Sequence, residues 1–141
     1  MAVKTYDPKG VSLIVGGHIV QGYADGSFVK VARNEDMFTT KIGADGEPSR
    51  TKSNNKSGTL EITLLQSSAS NDVLSGYALA DELSNGGQIP IMVKDNNGTS
   101  IYVSEAGWVK KMPDAELGKE LGERTWVIEC GAIDMFVGGN A

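Results

Sequence analysis

The sequence predicts a mainly β protein of two packed antiparallel sheets, sandwich or barrel-like, with one α-helix over about residues 70–84 and a long loop over 43–58. Three observations lead there. Short β-branched runs alternate with Gly-rich turns, in a chain of 18 Gly and only 4 Pro. Thr59 to Gln66 (TLEITLLQ) alternates apolar and polar residues at the period of a strand. One stretch alone, Ser70 to Ser84, repeats apolar residues at convincing helical spacing.

Taken in order, Val11 to Val15 and His18 to Tyr23 flank Gly16-Gly17, which predicts a tight hairpin. Ala24-Asp25-Gly26 is a second turn, with Gly26 available for positive φ. Ser27 to Arg33 forms the next strand, with Val29 and Val31 on one face, and Asp36 to Ile42 resumes an extended pattern. Residues 43–58 (GADGEPSRTKSNNKSG) hold no large apolar side chain, which reads as a long polar loop that is either solvated or ordered by another subunit. In Thr59 to Gln66, Leu60, Ile62 and Leu64 face one way and Thr59, Glu61 and Thr63 the other, as one buried and one wet face of an antiparallel sheet require.

Ser70 is placed to cap the helix and Asp72 to favour its first turn. Val73, Leu74, Tyr77, Ala78, Ala80 and Leu83 supply its apolar positions, and Asn85-Gly86-Gly87 its stop, with a glycine at positive φ. Gln88 to Asp95 and Ile101 to Val109 are strands joined by Asp95-Asn96-Asn97-Gly98, where Asn-Gly suits the two positive φ values of a type I′ turn. Lys110 to Arg124 mixes Glu and Leu with Pro113, Gly118 and Gly122, and is expected as an extended connection. Thr125 to Val137 is a final β segment interrupted at Gly131. The 141 residues are enough for one core, burying roughly 68% of the unfolded surface. Residues 1–141 are expected as a single domain with a flexible N-terminal arm (1–10) and C-terminal tail (138–141).

Composition narrows function. The net charge of −5 disfavours broad binding to a phosphate backbone. No apolar run approaches the ~20 residues of a membrane-spanning helix, and no leader-like segment is seen, so a soluble protein is expected. Cys130 is the only cysteine and His18 the only histidine. A disulfide within the chain is therefore impossible, a zinc site is inadequately supplied, and a Ser-His-Asp triad has only a strand-borne His18 to draw on. Cys130 reads as a buried structural thiol and Trp126 as a core residue. Phosphate-binding glycine motifs are missing, and the adjacent carboxylates Glu35-Asp36 and Asp81-Glu82 read as solvated faces. The sequence thus offers no catalytic set and no cofactor site.

An ordered set of segments carries a resemblance: Tyr6-Asp7-Pro8, Gly16-Gly17, Gly22-Tyr23-Ala24-Asp25-Gly26, Val31 to Asp36, Gly43 to Glu47, Lys56-Ser57-Gly58, Leu60 to Leu64, Ser67 to Leu74 and the closing Phe136 to Asn140. Together they resemble the tail tube proteins of contractile-tailed bacteriophages, a small phage structural protein family, over almost the whole chain. The resemblance implies the tail tube fold, two β-sheets flanked by a helix, shared with the haemolysin-coregulated protein of type VI secretion. It implies a structural, non-enzymatic subunit of the virion tail, made in the host bacterial cytoplasm. Copies would join into hexameric rings whose inner sheets close a β-barrel, and the rings would stack into a hollow conduit for genome ejection. The implied partners are the chain itself, the sheath, a baseplate or initiator, the tape measure protein, and DNA in transit. The 43–58 loop would contact an adjacent subunit through Asp45, Glu47, Arg50, Lys52, Asn54, Asn55 and Lys56, and Thr59, Glu61 and Thr63 would face the lumen. Two alternatives stand beside it: the tube subunit of a type VI-like secretion or contractile injection machine, and a non-catalytic β-sandwich binding module.

Overall fold

A computed structural model describes residues 3–140. A 3-10 turn at Pro8–Gly10 precedes strands β1 (Val11–Val15), β2 (His18–Ile19), β3 (Val29–Arg33), β4 (Phe38–Ile42), β5 (Pro48–Lys52) and β6 (Gly58–Leu65). The helix α1 (Ser70–Ser84) follows, then β7 (Ile89–Asp95), β8 (Ile101–Lys111), β9 (Glu123–Cys130) and β10 (Ile133–Phe136). Eight strands form one antiparallel sheet in the order β2-β1-β7-β8-β9-β6-β3, with β10 added against β8, and β4 and β5 form a separate two-stranded sheet.

The large sheet closes over itself through β8. The first part of this 11-residue strand pairs with β7 and β10, and its second part pairs with β9 across a register shift between Val109 and Lys111. Irregularities of this kind bend a strand. Leu13, Val15, Ile91 and Val93 from one limb therefore share a core with Leu60, Ile62, Leu64, Trp126 and Ile128 from the other. Cys130 is fully buried in the same core, and burial pushes its thiol pKa up.

The β6 alternation holds residue by residue. Leu60, Ile62 and Leu64 are fully buried, while Thr59, Glu61 and Thr63 lie on the opposite, half-exposed face. The helix spans the expected residues and buries Ser70, Leu74 and Ala78. Leu83, expected on its apolar face, is instead 86% exposed.

Turn chemistry departs from expectation where side chains have other partners. Gly16 and Gly17 take φ of 59° and 84°, the backbone a type I′ hairpin requires, and Val15 pairs with His18 across them. Asn97 and Gly98, by contrast, are not at positive φ. Gly98 N–H closes a turn on the Asp95 carbonyl at 3.2 Å, while Asn96 Nδ2 donates to the Gly10 carbonyl at 2.8 Å and Asn97 Nδ2 to the Asp7 carbonyl at 2.8 Å. The glycine at 98 is needed for close approach, since a Cβ there would strike the Gly139 carbonyl. At the helix C-terminus the left-handed residue is Asn85, φ 58°, and neither Gly86 nor Gly87 is at positive φ. Ser70 does not cap the helix through its side chain. Its Oγ accepts the Gln21 N–H at 3.0 Å and lies 2.9 Å from His18 Nε2, tying the β1–β2 hairpin to α1.

Of the arm and tail, Met1, Ala2 and Ala141 lie outside the described residues. Asp7 N–H donates to Asn97 Oδ1 at 3.0 Å, and Gly138 N–H donates to Ser100 Oγ at 2.9 Å, so both segments meet the same 95–100 turn.

Trp126 shows how helix and sheet are joined. Its indole Nε1 donates to Asn71 Oδ1 at 2.9 Å, and Asn71 Nδ2 donates to the carbonyls of Leu65 and Ser68, both at 3.0 Å. Asn71→Ala leaves a buried indole donor without its partner. It is expected to lower stability by about 1–3 kcal/mol in urea denaturation; an unchanged midpoint would show that this bridge contributes nothing.

Candidate assembly surfaces

Strands β4 and β5 build a hairpin that stands off the body, with every residue of both strands exposed. The 43–58 segment is thus not one loop. Residues 43–47 are the tip, Pro48–Lys52 is a strand, and 53–57 return to the body. The reason is cross-strand pairing with Phe38–Ile42, which a polar composition alone does not reveal: Phe38 opposes Lys52, Thr40 opposes Arg50 and Ile42 opposes Pro48. Side chains alternate across a hairpin, so these six share one face, with Thr39, Lys41, Ser49 and Thr51 on the other. The Arg50 guanidinium stacks over the Phe38 ring at 4.3 Å.

The predicted loop residues accordingly divide. Asp45 and Glu47 sit at the tip, where Asp45 Oδ1 accepts the Glu47 N–H at 3.2 Å, and Arg50 and Lys52 sit along the shaft. Asn54, Asn55 and Lys56 belong to the returning segment. Asn55 Oδ1 accepts from Ser57 N–H at 3.0 Å, and the Lys56 carbonyl accepts the Ile133 N–H at 2.8 Å. The hairpin base is anchored in turn: Asn34 N–H donates to the Ser57 carbonyl at 3.0 Å, and Ser53 Oγ donates to Glu35 Oε2 at 3.1 Å.

The second surface is the outward face of β3, β6, β9 and the end of β8. Glu61 lies between Lys30 and Val127, Thr63 beside Thr125, and Thr59 between Ala32 and Glu129. Glu129 is the hub. Asn34 Nδ2 donates to its Oε1 at 2.7 Å, Thr59 Oγ1 to its Oε2 at 3.4 Å, and Lys110 Nζ lies 3.6 Å from Oε2. Sequence reasoning found Thr59, Glu61 and Thr63 but missed Lys30, Lys110, Thr125 and Glu129 on the same face. The alternation Thr125-Trp126-Val127-Ile128-Glu129 carried a signal for two of them; Lys30 and Lys110 are placed only by strand pairing.

A third feature is an open cleft of about 460 Å³ between the two limbs, beside the outer edge of β3. Phe28, Val29, Val31, Val93 and Tyr102 line it, together with Asp95. Tyr23 stacks on Phe28 with ring centroids 4.7 Å apart, and its buried hydroxyl has no hydrogen-bond partner. Burial raises its pKa from about 10 to about 12. Among the described residues no group of His, Cys, Asp or Glu is arranged to hold a metal ion, and no helix is long and apolar enough to cross a membrane. The His18–Ser70 pair is not an accessible nucleophile, because Ser70 is 2% exposed and its oxygen accepts a backbone N–H.

The fold matches chains in the solved anti-feeding prophage cap (AFP tube terminating cap; TM-score 0.62, 9% identity, 100% of this chain and 95% of that one). It also matches chains in the native gene transfer agent virion (TM-score 0.62, 11% identity, 94% and 100%) and in the sheath/tube terminator of an extracellular contractile injection system, PVC (TM-score 0.60, 9% identity, 97% and 100%). At sequence level, structural protein ORF10 of Pseudomonas phage KPP10 is 31% identical over 144 aligned positions, covering 96% of this chain and 83% of the relative. The family model described as Bacteriophage PhiTE tail tube protein matches residues 10–138, and the chain belongs to that family. It is a structural subunit of a phage tail tube, located in the virion tail, and membership of a structural family points to a non-enzymatic role.

The Tyr23 phenol gives a pH test of the folded core. The folded chain keeps this proton to a higher pH than the unfolded chain does. Its contribution to stability is therefore intact below about pH 10 and is lost as pH rises through about 12. Phenolate absorbance should show one tyrosine titrating near 12, absent in Tyr23→Phe. That variant should match or exceed the parent in stability, by up to about 1 kcal/mol, since it removes a buried hydroxyl with no partner. Clear destabilisation would mean the hydroxyl has a partner in solution.

Proposed function

We propose that copies of this chain join into hexameric rings and that the rings stack into the hollow tube of a contractile tail, the conduit for genome ejection. The observation that carries this reading is the outward face of β3, β6, β9 and β8, rich in Lys, Thr and Glu, opposite apolar side chains that β6 buries fully, in a sheet that ends on an uncovered five-residue strand, β3. An open strand edge pairs readily with another chain, and ring closure covers it. Thr59, Glu61 and Thr63 then face the lumen together with Lys30, Thr125 and Glu129. On that wall Lys30 opposes Glu61 and Lys110 approaches Glu129, so cationic groups are matched by carboxylates and offer little grip to passing phosphates. The chain acts as a single non-catalytic domain without a cofactor, and its arm (1–10) and tail (138–141) are secondary interface elements. Sheath, baseplate or initiator, and tape measure protein are its partners in the assembled tail.

The hairpin supplies the contact between subunits, through Asp45 and Glu47 at the tip and Arg50 and Lys52 on the shaft, with Asn54, Asn55 and Lys56 at its root. A two-stranded hairpin is marginal alone and gains order by docking. A second reading, the tube of an injection or secretion machine carrying protein cargo, draws support from the fold shared with the PVC and anti-feeding prophage chains. The phage relative and the phage family favour the DNA conduit.

Negative-stain electron microscopy over a concentration series, with and without tail initiator, tests the reading. Hollow rings or tubes of uniform width are expected; small monodisperse particles under every condition would overturn it. Arg50→Glu with Lys52→Glu should block tube growth and leave the circular dichroism spectrum and thermal midpoint near those of the parent. A double variant that polymerises normally would remove the shaft from the interface.

A further inference from the structure

The hairpin and the cleft beside β3 are complementary in two independent respects. One face of the hairpin carries Phe38 opposite Lys52, Thr40 opposite Arg50, and Ile42, which is 59% exposed, opposite Pro48. Water-exposed aromatic and branched side chains on a free hairpin are unfavourable unless something covers them. The cleft offers apolar walls in Phe28, Val29, Val31, Val93 and Tyr102, and its one charged lining residue is Asp95. The exposed Asp25 adjoins the lining residue Gly26, and the exposed Asp7 lies between the lining residues Tyr6 and Pro8. Asp95 and Asp25 thus offer carboxylates to the two cations of the hairpin shaft, among the cations Lys9, Lys30 and Lys94 that also adjoin lining residues. The cleft's volume of about 460 Å³ accommodates an aromatic side chain with neighbouring aliphatic groups.

Placement along the chain makes the match directional. The hairpin leaves after Arg33, at the C-terminal end of β3, and returns at Gly58. The cleft lies against Phe28, Val29 and Val31, toward the N-terminal end of the same strand. Two different patches at different ends of one subunit make a heterologous contact, which repeats without closing on itself when it runs along an axis.

We infer that the cleft beside β3 is the receptor for the β4–β5 hairpin of a second copy of this chain. Phe38 enters between Phe28, Val31 and Tyr102, and Arg50 and Lys52 meet Asp95 and Asp25. The Arg50–Phe38 stack holds the anchor ring in place before docking, which lowers the ordering cost of the contact. This inference rests on the self-assembly reading above and names the surface that the hairpin binds.

The test places a photo-crosslinking phenylalanine analogue at position 38 of the full chain and maps intermolecular adducts by mass spectrometry, with and without tail initiator. Adducts on Phe28–Val31 or Tyr102 are the expected result. Adducts concentrated on another surface would overturn the receptor assignment and leave self-assembly standing. A complete lack of intermolecular adducts under assembling conditions would overturn it as well, and if electron microscopy also shows no rings or tubes, the tube reading falls with it. As a second measurement, Val29→Trp, which fills the cleft, should require at least about tenfold more protein to stack, as expected for loss of a central interface anchor. Asp25→Lys should partly restore stacking to the Arg50→Glu, Lys52→Glu variant. Val29→Trp stacking like the parent, with a parent-like thermal midpoint, would contradict the assignment.

Discussion

Strand β6 can bury only one face, and most of the molecule follows from that. It lies between β3 and β9, and its Leu60, Ile62 and Leu64 are fully withdrawn from water. Each such side chain contributes about 1.5–3 kcal/mol by burial, and a one-residue slip would exchange all three for Thr and Glu. Register is therefore held strongly, first for β6 and then for its partners. Trp126 of β9 falls beside Ile62, and its indole nitrogen requires an acceptor, which Asn71 at the start of α1 provides. Packing of the inner face thus fixes the outer face, and a saturated hydrogen bond fixes the helix against the sheet. The surface proposed to line the conduit is the obligatory reverse side of this core.

The hairpin follows the opposite rule. It is inserted between two strands that are themselves hydrogen-bonded neighbours, since Arg33 opposes Gly58. Its root is consequently rigid. Asn34, Ser57 and Glu129 close the gap from which it emerges, and Arg33 Nη2 adds a bond of 2.7 Å to the Ile133 carbonyl. Beyond the root no core supports the strands, and segments of this kind occupy the low-stability end of a fold. A firm base with an unsupported shaft suits an element whose missing contacts come from a neighbour.

Sequence and structure agree where one dominant local force acts. Gly16-Gly17 has no competing side chain, so its backbone freedom decided the turn. The β6 alternation and the 70–84 helix were legible because burial of one face outweighs every local alternative. Asn97-Gly98 misled because the side chains of Asn96 and Asn97 bind the carbonyls of Gly10 and Asp7, contacts 86 and 90 positions away in sequence. Asn85 took the left-handed position that a neighbouring glycine was expected to fill. The polar stretch after Gly43 concealed a strand, since Ser, Arg, Thr and Lys lack the apolar pattern that marks a half-buried one, and β5 is buried on neither face.

By itself the sequence determined the class of fold, the buried face of β6, the span of the helix and the supply of a single histidine and a single cysteine. These depend on composition and on periodicities within a few residues. Only the tertiary structure decided that Lys30, Thr125 and Glu129 join Thr59, Glu61 and Thr63 on one surface. It alone showed that the 43–58 segment divides into a tip, a strand and a return path, and that a cleft opens beside β3 at the end away from the hairpin root. Those features depend on which strands become neighbours, and that choice is made by the shared core of distant segments, which no local pattern records.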